Sequence, residues 1–258
     1  MINSKVKAAL QCFRKSTNYW RGTLLIKSTS RRLGAFLSVL LLMVHIDAIA
    51  EVTIVDQELV YAVSYGNKNV GNIEISIRNE KGGYQLRSIT KPTRLARLVL
   101  KEHTSDTKFI WRNEALVLHS AVEKLEGKKS YDRGFTFDFD NHTIELAEGK
   151  TGTFEEGDQF ESVTFPLLLM HRDVNSVAGM EVMEVSPKRL RSYTYDKLEQ
   201  ETVKVPAGEF ASWKVTRFRS DRPADRVTVW LNQSDNPIPV KIEVDKGGKV
   251  STLALSQQ

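Results

Sequence analysis

From residue 59 onward, apolar and polar side chains alternate with a period of two. In "LVYAVSY" Leu59, Tyr61, Val63 and Tyr65 share one face. In "NIEISIR" Ile73, Ile75 and Ile77 point one way and Asn72, Glu74, Ser76 and Arg78 the other. "FTFDFD" repeats the pattern with Phe135, Phe137 and Phe139 opposite Thr136, Asp138 and Asp140. Further runs cover 115–124, 189–204, 209–219, 226–232, 238–245 and 249–256. Turn signals separate them: "GNKNVG" at 66–71, "EKGG" at 80–83, "PAGE" at 206–209 and "KGG" at 246–248. This alternation predicts half-buried antiparallel strands, apolar on one face only. About a dozen such strands exceed what one flat sheet carries, so an all-β fold is expected, curled into a barrel or half-barrel or folded as a sandwich.

Two segments break the alternation. "PTRLARLVLK" (92–101) has a proline suited to a first helical turn and sets Leu95, Leu98 and Val99 on one helical face. "DQFESVTFPLLLMHRDVNSV" (158–177) offers Asp158 as a cap and places Phe165, Leu168, Leu169 and Arg172 at helical spacing, with Pro166 starting or kinking the helix. Such a helix over a curved sheet either fills the concave side or lids an apolar cavity. Patterning does not separate the two, since both need apolar inward faces.

The charge balance depends on the first fifty residues. Fourteen uncharged residues, Leu33 to Ile46, follow Lys27, Arg31 and Arg32 and precede Ala48-Ile49-Ala50. As a helix they would span roughly 21 Å, short of the roughly 30 Å hydrocarbon core of a bilayer. A positive flank, a short apolar run and small residues at −3 and −1 are the layout of a secretory signal, with the cut expected between Ala50 and Glu51. An uncleaved anchor is the alternative. The sole cysteine, Cys12, lies upstream of the run, which excludes lipidation at the cut. The chain carries 37 Lys+Arg and 32 Asp+Glu. Residues 1–50 hold eight of the former and one of the latter, so residues 51–258 carry 29 against 31, a net −2. The basic balance belongs to the leader and gives no support for nucleic-acid binding. A single domain of 51–258 in the periplasm is expected, with no membrane span once the leader is gone.

Motifs for chemistry are sparse. Zinc-binding His-Glu-x-x-His, a Gly-x-Ser-x-Gly elbow and a glycine-rich phosphate loop are all missing from the sequence. With no cysteine after residue 12 and with His103, His119, His142 and His171 scattered, no metal, cofactor or catalytic residue is expected. Asp138 and Asp140 share a strand face as an acid–base pair would, but a solvent face opposite three phenylalanines accounts for them. Arg217, Arg219, Arg222 and Arg226 form a positive rim around a hairpin tip, interleaved with Asp221 and Asp225; a self-compensated surface and contact with an anion or lipid head group are the two readings.

"ETVKVPAGEFASWKV" (201–215) followed by "RVTVWLNQSDNPIPVKIEV" (226–244) resembles the bacterial family known as domain of unknown function 3108. Its members carry a strand ending in a Pro-x-Gly-x-Phe turn, then a Trp-Leu strand and a Pro-Val-x-Ile-Glu strand. "YAVSYGNKNVGNIEISI" agrees with the layout of its N-terminal half. Similar Pro-x-Gly-x-Phe hairpins occur in periplasmic LolA-type lipoprotein carriers, which implies a half-barrel with an apolar concave face. The family has no assigned activity, so the resemblance brings no catalytic residues. Two functions are therefore expected to compete. One is a non-catalytic binding module for an acyl chain or lipoprotein-like ligand, lined by Trp111, Phe137, Leu169, Trp213 and Trp230. The other is a cell-envelope interaction or assembly protein with a solid core and another envelope protein as partner.

Overall fold

The structure, a computed structural model, describes residues 54–98, 101–126, 130–162 and 165–258. All of them belong to one compact unit, residues 49–258. The expected cut between Ala50 and Glu51 lies outside the described residues.

Among the described residues, fifteen strands form one sheet. The N-terminal eight are β1 (Gln57–Tyr65), β2 (Lys68–Glu80), β3 (Gly83–Pro92), β4 (His103–Arg112), β5 (Ala115–Leu125), β6 (Tyr131–Asp138), β7 (Thr143–Leu146) and β8 (Thr151–Thr153). The remaining seven are β9 (Phe160–Ser162), β10 (Glu181–Ser186), β11 (Arg189–Val205), β12 (Gly208–Arg219), β13 (Arg222–Asn232), β14 (Pro239–Lys246) and β15 (Val250–Gln257). Their spatial order is β8 to β1, then β15 down to β9, so each strand pairs with its sequence neighbour and β1 with β15 joins the halves. All pairings are antiparallel except β9 with β10, where Phe160 lies opposite Met183.

The sheet curls until its two edges face each other, without a hydrogen-bonded ladder closing it. Phe137 of β6 meets Phe160 of β9 edge-on at 4.7 Å, and Phe154 meets Phe160 at 5.3 Å. The Ala147 amide donates to the Pro187 carbonyl at 2.9 Å. Inside the curl lie Leu59, Tyr61, Ile75, Ile77, Leu86 and Phe109 from one half, and Val215, Val229, Val240, Ile242 and Leu255 from the other, all buried. The Tyr61 hydroxyl donates to the Pro239 carbonyl at 2.6 Å, which satisfies a phenol that burial keeps un-ionised.

The helix on the concave side is shorter than its sequence pattern. Of the helix expected over 158–177, the described residues form α1 (Leu167–His171) and a separate 3-10 turn at Val174–Ser176. Residues 160–162 extend as β9 instead, and Asp158 accepts a hydrogen bond from the Glu155 amide rather than capping a helix. Pro166 takes the cap position, because its ring cannot continue a helix from the preceding turn. Leu167, Leu168, Leu169 and Met170 are all buried. Of the other expected helix, over 92–101, the described residues show a 3-10 turn at Ala96–Leu98, and Val99 lies outside the described residues. Leu95 and Leu98 are 81% and 80% exposed, since at the end of a hairpin nothing faces them. The Pro206-Ala207 turn is tight: Val205 pairs with Gly208, whose φ of +144° suits glycine, and the Phe210 ring stacks over it at 3.6 Å from where a Cβ would stand.

Candidate binding cleft

Strand phase decides which polar residues enter the curl. On β11, Arg191, Tyr193 and Tyr195 share the face that points inward; on β12, Arg217 follows Trp213 and Val215 on that face. Arg217 therefore does not join the hairpin rim expected from sequence but is 6% exposed, inside the fold. Its Nη1 donates to Glu161 of β9 at 2.6 Å and its Nη2 to Glu184 of β10 at 3.0 Å. The Tyr195 hydroxyl donates to the other oxygen of Glu161. Arg191 Nη1 lies 3.6 Å from the other oxygen of Glu184. The order Tyr195–Glu161–Arg217–Glu184–Arg191 thus runs from the buried interior toward solvent, where the Arg191 side chain is 18% exposed.

The electrostatics of this chain of groups are closed. Burial opposes the Arg217 charge, but Glu161, Tyr195 and Glu184 outweigh it and hold the guanidinium protonated beyond its ordinary range. Burial raises the Tyr195 phenol well above its usual value, and the Glu161 carboxylate adds to it. Burial and then Glu184 raise Tyr193, whose ring lies 4.7 Å beneath the Arg217 guanidinium. Two carboxylates and two guanidiniums balance, and one donor is left over: Arg191 Nε is buried with no partner.

Arg191 lines two adjoining spaces. Inward lies a chamber of about 280 Å³ whose walls include Ile73, Phe165, Val229, Ile242 and Leu253, with Arg217 and Glu184 at its polar end. Outward lies a mouth of about 430 Å³ lined by Arg189, Arg219, Arg222, Arg226 and Asp225. Arg191, Tyr193, Val227, Val244 and Lys246 line both. A second, wider cleft of about 710 Å³ opens at the other end of the strands, between the end of α1 and the 232–237 loop.

The five aromatic and leucine residues singled out in the sequence do not share one site. Leu169 and Trp213 both line the wider cleft. Trp111 packs edge-on against His171 at 5.0 Å, at the end of α1. Phe137 belongs to the aromatic seam between the sheet edges. Trp230 lies on the outer face, where its indole donates to Glu201 and Lys241 sits 4.5 Å over its ring. Asp138 accepts from the Asp140 and Asn141 amides at 3.1 and 3.0 Å, and these bonds with the Asn141 side chain hold its carboxyl below the usual range. It therefore ties a turn. His103 faces Glu123 at 3.9 Å, His119 lies by Phe139, and His142 by Phe154. Among the described residues, no three His, Cys, Asp or Glu side chains converge as a metal site. Glu161, Glu184, Arg191, Tyr193 and Tyr195 were not singled out in the sequence. The signal for three of them was present: Arg191 is in phase with the two tyrosines, and an arginine on an inward phase calls for a buried partner.

An open sheet of consecutive antiparallel strands, curled around a short helix, defines a β-barrel-like protein. The chain belongs to the family described as protein of unknown function (DUF3108), whose model matches residues 60–253. Among solved structures it is similar to a β-barrel-like protein of domain of unknown function DUF1849 from Brucella abortus. That match has a TM-score of 0.51 and 14% identity, and covers 78% of this chain and 96% of that one. A DUF1089 family protein from Pseudomonas aeruginosa matches with a TM-score of 0.40 and 12% identity, over 64% of this chain and 87% of that one. No curated protein matches the chain significantly. The likeness to the Brucella protein concerns the fold alone.

Proposed function

We propose that this protein is an exported, non-catalytic binding module that takes an apolar chain into the chamber beside Phe165. The observation that carries the reading is the chamber itself: about 280 Å³ inside the curl, with aliphatic walls and an opening to solvent at Arg191. Its size is at the lower end of small-molecule sites, so it suits one short or medium acyl-like chain rather than a whole lipid. Export by the 33–46 segment, with the cut after Ala50, places the ligand in the cell envelope. The competing reading, an envelope interaction protein with a solid core, is favoured by the four buried residues of α1, which already fill much of the concave side.

Filling the chamber separates the two. Val227 and Val244 are half-buried on its wall, so Val227→Trp or Val244→Trp can occupy the space without opening the core. With the neutral apolar dye N-phenyl-1-naphthylamine, residues 51–258 are expected to show blue-shifted, saturable fluorescence, weakened about tenfold or more by either tryptophan. Saturable binding that is absent, or that both tryptophan variants retain in full, favours the solid-core reading.

A further inference from the structure

We infer that the mouth outside the chamber is a receptor for an oxyanion, and that the ligand is an amphiphile whose anionic head group rests there while its tail fills the chamber. The inference rests on the proposed binding function and adds the chemistry of the head. Cations dominate the lining: Arg189, Arg191, Arg219, Arg222, Arg226 and Lys246 against Asp225 and Asp245. Both aspartates are committed within the protein. Asp225 faces Arg219 at 3.5 Å, and Asp245 accepts from the Gly248 amide at 2.6 Å. Arg219 is paired again with Asp221 at 2.5 Å. Arg189, Arg222 and Lys246, by contrast, have no carboxylate within ion-pairing distance among the described residues.

Arg191 ties the head to the tail. One end of its guanidinium is held by Glu184, which fixes its position, and its Nε–H is buried without a partner. A buried donor left open costs free energy that an arriving oxyanion would recover, and a guanidinium offers such an oxyanion paired N–H groups in a planar fork. The interior cannot take that anion, because Glu161 and Glu184 already answer Arg217. The apolar walls and the free cations share Val227, Val244 and Lys246, so a head at Arg191 has its tail pointing directly into the chamber. A neutral head group could accept from Arg191, but without charge assistance and without the attraction of the cationic lining, and a cationic one would be repelled.

The test compares three probes by calorimetry on residues 51–258, below their micelle concentrations: dodecyl phosphate, dodecyl maltoside and inorganic phosphate. Dodecyl phosphate is expected to bind about tenfold or more tightly than dodecyl maltoside, and inorganic phosphate far more weakly than either. Arg189→Gln with Arg222→Gln, both exposed and lining only the mouth, should erase the advantage of the phosphate while leaving the maltoside affinity in place. Arg191→Gln should do the same; the exposed pair keeps the test valid if that variant fails to fold. Equal binding of the two dodecyl probes would overturn the head-group inference and leave the chamber reading standing. Inorganic phosphate binding as tightly as dodecyl phosphate would show an anion site independent of the chamber and overturn the amphiphile. Binding by none of the three would overturn both readings.

Discussion

Arg217 bridges two glutamates from different strands inside the curl, and each of its terminal nitrogens meets one carboxylate. A buried ion pair of this kind adds little net stability over a well-packed apolar substitute, because desolvation offsets the attraction. Removing one partner is another matter, since it strands the others. Arg217→Met is expected to destabilise the fold by about 3–5 kcal/mol, as Glu161 loses its counter-charge and Glu184 keeps only Arg191. Adding Glu161→Gln and Glu184→Gln should return much of that loss, which urea unfolding of the single and triple variants would measure. A single variant within about 0.5 kcal/mol of wild type would mean that the network is wet and unimportant to the core. At this scale the sequence was least legible. Strand phase marks Arg191 and Arg217 as inward, and Glu184 stands opposite Arg191 in the β10–β11 hairpin, but Glu161 comes from the short strand β9 and only the folded sheet brings it to Arg217.

The elements follow from local pattern wherever two faces have different surroundings. The long alternating runs at 189–204 and 209–219 form β11 and β12 with ends shifted by a residue or so, because one face meets the core and the other water. Pattern misleads where no surface exists to pack on, or where the surface is too near. Leu95 and Leu98 have helical spacing but are exposed, and among the described residues of that segment a single 3-10 turn forms. The 158–177 segment has helical spacing at Phe165, Leu168, Leu169 and Arg172, yet its first part pairs in parallel with β10 and its apolar run is a plug of five residues. A helix that short is not stable alone; it persists because all four of its apolar side chains are buried. Leu167→Ala should therefore cost about 2–5 kcal/mol, while Leu98→Ala should stay within about 0.5 kcal/mol of wild type. Thermal or chemical unfolding of both would check the contrast, and similar losses from both would mean that the 92–101 turn is packed after all.

For the whole molecule, alternation and turn chemistry predicted an all-β, curled architecture, and the fifteen-stranded sheet has that form. Nearest-neighbour pairing makes such a fold legible, since almost every strand meets the strand that precedes or follows it. The cleft was not legible, because its walls come from residues as distant as Ile73, Tyr193 and Leu253 and depend on how tightly the sheet curls. The charge reading changes with it: residues 51–258 are nearly balanced overall, yet the cations gather at one end of one cleft. The central claim is that this cleft holds an anionic amphiphile in the cell envelope. Native mass spectrometry of the protein recovered from its own cells, without detergent, tests it most directly. The account predicts a chain beginning at Glu51 that carries one adduct of a few hundred daltons, released on activation as an anion. A bare chain under conditions that preserve weak complexes, or an adduct that the Arg189/Arg222 variant keeps in full, would contradict it.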